Sequence, residues 1–108
     1  ASRVLRHADE RGHVVFLHGV FGAGTNFNSV ARRIMRRSHV TCHLVDARNH
    51  GDSFRHPVST VSAMADDALA YVRRVRRVAP RAPITLLGHS MGGKVAMLAA
   101  LRDASERR

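Results

Sequence analysis

The segment Ile84 to Met97, ITLLGHSMGGKVAM, carries residues whose types and spacing fit two chemistries. Gly88-His89-Ser90-Met91-Gly92 fits G-x-S-x-G, the turn that presents a serine nucleophile. Gly88 through Gly93-Lys94 fits most of G-x-x-x-x-G-K, a phosphate-binding loop. The phosphate loop also requires a Ser or Thr hydroxyl after the lysine to hold Mg²⁺, and Val95 stands there. The nucleophile turn requires a strand, a sharp bend and a helix, with small residues flanking the serine. ITLL precedes it, KVAMLAAL follows it, and Gly88, Gly92 and Gly93 supply the room, so the serine reading is preferred. A nucleotide-binding loop and a glycine-rich turn without chemistry remain as alternatives.

Acyl transfer also needs two N–H donors aimed at the developing oxyanion. One comes from the residue after the nucleophile, here Met91. The other comes from an early strand-to-helix loop, and FLHGVFGAG holds His18-Gly19 at the right place. Val20 is the expected second donor, with Phe21 in reserve. The same loop also reads as an ordinary flexible turn. His18 is expected to make a structural hydrogen bond, and His50 to approach the rim of the site. Asp46, Asn49, Gly51 and Asp52 form turns at a strand end. Arg48 is expected to brace that loop through a carboxylate.

Three apolar runs must position these loops: His13–Leu17, His39–Val45 and Pro83–Gly88. The first and third are nearly continuous, as in parallel strands covered on both faces. Helical spacing places Phe27, Val30, Ala31 and Ile34 on one face, with Thr25 or Asn26 as cap. A second helix carries Val61, Ala65, Ala68, Val72 and Val75 in one stripe, beside Met64 and Tyr71, capped by Ser59, Thr60 or Ser62. A third follows Ser90, apolar along Val95, Leu98, Ala99 and Leu101. The expected fold class is α/β, a partial doubly wound parallel sheet in the order β-α-β-α-β-α, forming one incomplete domain over residues 1–108. In such sheets the ligand site lies beyond the C-terminal strand ends, where all three loops gather.

The segments FLHGVFGAGTNF, VDARNHGDS and GHSMGGKVAM, in that order, resemble the α/β-hydrolase fold superfamily. DARNHGDS and GHSMGGK are similar to its esterase branch, that of α/β-hydrolase domain-containing protein eleven and small bacterial esterases. The resemblance runs from about Val14 to Leu101. It implies a serine hydrolase of carboxylic esters or thioesters of acyl or lipid type, with Ser90 as nucleophile and Met91 and Val20 as oxyanion hole. It also implies a mitochondrial location, with a cytoplasmic one as the alternative. In this family the acid and then the histidine follow the serine. No histidine follows Ser90 here, and Asp103 and Glu106 lie on or just past the next helix. The chain is therefore expected to be the N-terminal part of a hydrolase, inactive alone. A non-catalytic binding module of the same fold is the rival.

Composition narrows the rest. Apolar residues make up 44% of the 108, which argues against wholesale disorder. No apolar run approaches the length of a transmembrane helix. The net charge of +10 comes almost wholly from arginine and favours loose association with polyanions. The pairs Arg32/Arg36, Arg33/Arg37 and Arg73/Arg77 invite a nucleic-acid reading, but no aromatic residues interleave them to stack bases. Specific nucleic-acid binding is not expected, nor is an organic or metal cofactor. The eight histidines show no metal-ligand spacing; His13, His39 and His43 are expected to be structural or exposed. Cys42 is the only cysteine, which excludes an internal disulfide, and it alternates with Val40 and Leu44 as a buried small residue.

Overall fold

The computed structural model describes residues 2–19, 22–48, 50, 53 and 60–106. Four strands form one sheet: β1 (Ser2–Leu5), β2 (Gly12–Leu17), β3 (Val40–Val45) and β4 (Ile84–Gly88), in spatial order β1-β3-β2-β4. Among the described residues, α1 (Asn28–Arg37) connects β2 to β3, α2 (Val61–Val78) connects β3 to β4, and α3 (Met91–Glu106) follows β4. β2 is parallel to both β3 and β4, so the expected βαβ crossovers are present.

The expected all-parallel order needs correction at the N-terminal end. β1 pairs antiparallel with β3, with Ser2 opposite Val45 and Leu5 opposite Cys42, so the sheet is mixed. Its four residues, SRVL, are mostly exposed, and a short edge strand of that kind carries no core-facing pattern to read. The start of the first helical segment also differs. Gly24–Phe27 form a 3-10 turn before α1, and neither Thr25 nor Asn26 caps the helix. At α2 the cap is Thr60, whose hydroxyl accepts from the Ala63 N–H.

Strand alternation sorts the core into two layers. Val15 and Leu17 face α2 and α3, packing against Met64, Ala65, Ala68, Val95, Ala96 and Ala99. Val14, Phe16, Cys42 and Leu44 face α1, packing against Ala31 with Phe27 and Ile34. Cys42 is fully buried, its thiol directed at the Ala31 carbonyl, and burial pushes its pKa up. Two expected core positions are exposed instead: Val30 on α1 and Leu101 on α3.

The arginines of α2 and α3 are used as clasps. Arg76 makes a bidentate pair with Asp103 at 2.9 and 3.0 Å, Arg73 pairs with Glu106, and Arg102 reaches Asp66. Each joins α2 to α3. On α1, Arg32, Arg33, Arg36 and Arg37 are all exposed. No described helix is long and apolar enough to cross a membrane.

Of the two alternatives for His13 and His43, structural or exposed, the structure takes the structural one. Both are 5% exposed on the α2 side of the sheet, with His13 Nδ1 2.9 Å from His43 Nε2. His43 Nδ1 lies 2.7 Å from the Tyr71 hydroxyl on α2. Burial, then the neighbouring His13 and Arg6, lowers the His43 pKa from 6.5 to about 4. Below about pH 6.5 the unfolded chain therefore takes up a proton that the folded chain refuses until about pH 4. Stability contributed by this group is complete above pH 6.5 and is lost as pH falls toward 4, by on the order of 3 kcal/mol. Thermal unfolding midpoints should drop across that interval. The His43 ring proton, followed by NMR in the folded chain, should titrate well below 6.5; an ordinary value would contradict this account.

Candidate active site

The turn between β4 and α3 is the sharpest feature of the backbone. Ser90 is the only non-glycine residue with positive φ among those described, at 56°. That region costs an L-residue roughly 1–2 kcal/mol and persists only where surrounding structure imposes it. Here the imposition is visible. A Cβ on Gly88 would lie 2.2 Å from the Gly92 carbonyl oxygen, and one on Gly92 would lie 1.9 Å from that of Leu17. Strand β4, the first turn of α3 and the end of β2 thus touch backbone to backbone. The His89 N–H donates to the Leu17 carbonyl at 3.1 Å, fixing the entrance of the turn. The Gly93 and Lys94 N–H groups donate to the Ser90 carbonyl, fixing its exit into the helix.

Ser90 itself is exposed. It sits at the N-terminal end of α3, where unpaired N–H groups and the helix dipole present positive potential. Met91 is the first residue of that helix, so its N–H has no carbonyl one turn earlier to bond. Gly19 comes up against the same turn: a Cβ there would be 3.4 Å from both the Ser90 Cβ and the His89 carbonyl oxygen. The loop after β2 and the serine turn are therefore adjacent, as the sequence reading requires. Val20, the expected second oxyanion donor, and its reserve Phe21 lie outside the described residues. Lys94 is exposed one turn into the helix, while Val95 beside it is 4% exposed and part of the core.

The surrounding loops are braced rather than catalytic. His18 is 2% exposed. Its Nε2 lies 3.0 Å from the Ala47 N–H, which can only donate, so the proton sits on Nδ1 and is given to the Gly19 carbonyl at 2.7 Å. Both ring nitrogens are occupied: Nδ1 closes the loop after β2 on itself, and Nε2 ties it to the loop after β3. The Gly24 N–H donates to Asp46 Oδ1 at 2.7 Å, and Ser53 Oγ to the Asp46 carbonyl at 2.6 Å. Arg48 makes a bidentate pair with Asp67 of α2, at 2.7 and 2.8 Å, which is the carboxylate brace expected of it. His50 Nδ1 bonds the Arg48 carbonyl, and its ring lies 5.2 Å from that of His18. Asn49, Gly51 and Asp52 lie outside the described residues. A cavity of about 30 Å³ sits behind the serine turn, walled by Met91, Gly92, His18 and Met64.

Residues 8–107 match the protein family described as Serine aminopeptidase, S33. The mouse protein named sn-1-specific diacylglycerol lipase ABHD11 is 47% identical over 96 residues, covering 87% of this chain and 30% of its own length. Ethanol acetyltransferase 1 of Cyberlindnera jadinii is 33% identical over 89 residues, covering 82% of this chain and 25% of its own. Among solved structures, a marine microorganism esterase superposes with a TM-score of 0.77 at 28% identity, over 96% of this chain and 37% of that one. The chain thus spans between 25% and 37% of the length of these relatives.

Proposed function

The chain belongs to the α/β-hydrolases of the serine aminopeptidase S33 family, and on that premise we propose that Ser90 is the nucleophile of a serine hydrolase acting on carboxylic esters or thioesters of acyl type. The observation that carries the reading is the left-handed Ser90, held exposed at φ 56° by a turn whose Gly88 and Gly92 cannot accept a Cβ. Ser90 Oγ attacks the substrate carbonyl, the Met91 and Val20 N–H groups receive the oxyanion, and the alcohol or thiol departs to leave an acyl-enzyme. Water then releases the acid. The lipase and esterase names of the relatives support an acyl substrate of lipid type.

A serine hydroxyl needs a base, and both nitrogens of His18 are already bonded. His89, next to Ser90 in the chain, is exposed and contributes its backbone N–H to the turn. The acid and the histidine are accordingly assigned to the part of the relatives' length that this chain does not span. The 108-residue chain alone should show no ester turnover above a protein-free blank. A protein of the relatives' full length should be labelled covalently by a fluorophosphonate, with the label mapping to the peptide that contains Ser90. Labelling at another serine would overturn the assignment.

A second reading rests on the acetyltransferase relative. If an alcohol reaches the acyl-enzyme before water, the same machinery transfers the acyl group instead of hydrolysing it. The ratio of ester to acid formed from one acyl donor in the presence of ethanol separates the two. By resemblance the location proposed is mitochondrial, which fractionation of cells expressing the full-length protein tests.

A further inference from the structure

On the α2 side of the sheet, away from the serine turn, lies a cavity of about 220 Å³. His13 enters it near the start of β2, His43 from β3, Tyr71 and Arg74 from α2, and Arg6 from the connection after β1. Every polar side chain in this wall can donate a hydrogen bond, and no carboxylate is among them. Arg74 lies over the Tyr71 ring at 5.7 Å and forms no ion pair among the described residues. Arg6 has only a long contact with Glu10, at 3.9 Å. Of the two guanidinium groups flanking the pocket, Arg6 is thus matched only loosely, by Glu10, and Arg74 by no carboxylate among the described residues.

The floor is a directed chain. Glu10 Oε2 stands 3.5 Å from His13 Nε2, too poorly placed for a hydrogen bond, so that buried nitrogen is left without a partner. The carboxylate nevertheless favours a proton on Nε2. His13 Nδ1 is then an acceptor, His43 Nε2–H donates to it, and His43 Nδ1 accepts from the Tyr71 hydroxyl. In this state Tyr71 spends its proton on His43.

We propose that this pocket binds a small oxyanion, a carboxylate or a phosphate monoester, between Arg6 and Arg74, with Tyr71 as the third donor. Binding takes up one proton from solvent. His43 becomes an imidazolium, its Nε2–H still donating to His13 and its Nδ1–H now donating to the Tyr71 oxygen. The Tyr71 hydroxyl is thereby released to donate to the anion. The groups facing His43 set the balance: His13 from β2, Tyr71 and Arg74 from α2, and Arg6 with Glu10 from the β1–β2 connection. Burial and the Arg6 charge oppose the imidazolium in the empty pocket, Glu10 favours it, and the bound anion offsets the opposition. The wall also includes Val75 and Val78, an apolar side suited to a short alkyl group.

Inorganic phosphate and butyrate, titrated separately into the 108-residue chain, distinguish the two ligand classes by NMR. The expected result is saturable displacement of the His43 and Tyr71 ring signals by one or both. Arg74→Gln should weaken that binding about fivefold or more, since a charge-assisted bond is lost. Arg33→Gln, on α1 across the sheet, removes the same charge and should change affinity less than twofold. Sulfate, whose charge is fixed over the range, should bind more tightly at pH 5 than at pH 7, with the His43 signal moving to its protonated position as it binds. Unsaturable shifts with every probe would overturn the proposal. So would equal weakening by Arg33→Gln and Arg74→Gln, which would reduce the effect to attraction by the net charge.

Discussion

Ser90→Ala, in a protein carrying the relatives' full length, is expected to lower ester turnover by about 10⁴-fold or more while leaving the fold intact. In the proposed mechanism the loss is large because the covalent route disappears, and the N–H donors proposed at Met91 and Val20 could then assist only direct attack by water. Folding is spared because Ser90 is exposed and its side chain fills no core space. A companion substitution separates chemistry from strain. Ser90→Gly should abolish turnover equally, yet leave the unfolding free energy unchanged or higher by up to about 1 kcal/mol. Glycine adopts a φ of 56° without the steric cost that serine bears, partly offset by its greater unfolded-state entropy. A strained serine that a more comfortable residue could replace marks a position kept for its hydroxyl. Turnover retained in either variant, measured against a chromogenic short-chain ester, would remove Ser90 from the mechanism.

Much of this arrangement was legible in the sequence because it is local. Strand, bend and helix around Ser90 lie within one stretch, and the glycines that permit the bend sit two residues to either side. The three long strands were legible for a related reason: residues covered on both faces read as apolar runs whatever their partners. What escaped was set by partners distant in the chain. β1 exists because Ser2–Leu5 finds the edge of β3, some forty residues later, and its own side chains are mostly exposed. Val30 has the spacing of a buried position but is 47% exposed, because α1 meets the sheet through Ala31 and Ile34. For His13 and His43 the sequence left structural and exposed roles both open. Alternation along each strand gives the side of the sheet, but only the parallel register of β2 with β3 brings the two rings together beneath Tyr71. The resulting pocket has no sequence signature, since its members come from four separate segments.

Gly92→Ala is expected to destabilise the chain by about 3 kcal/mol or more, seen as a lower denaturant midpoint with an unchanged slope. The added methyl would sit 1.9 Å from the Leu17 carbonyl oxygen, 2.5 Å from its carbon and 2.6 Å from the His18 carbonyl oxygen. All three are backbone atoms at the end of β2, so no side chain can rotate away to make room. Relief requires α3 to retreat from the sheet, which opens the packing of Val95 and Ala99 against Val15 and Leu17. Gly93→Ala is the control, because a Cβ there meets nothing closer than 3.7 Å and should be tolerated, with a gain in helix propensity. The pair therefore tests whether the second glycine of G-x-S-x-G is fixed by contact or merely by flexibility. If both variants lost stability alike, backbone freedom would be the cause, and the tight approach of helix to strand would not be what holds Ser90 in its left-handed conformation.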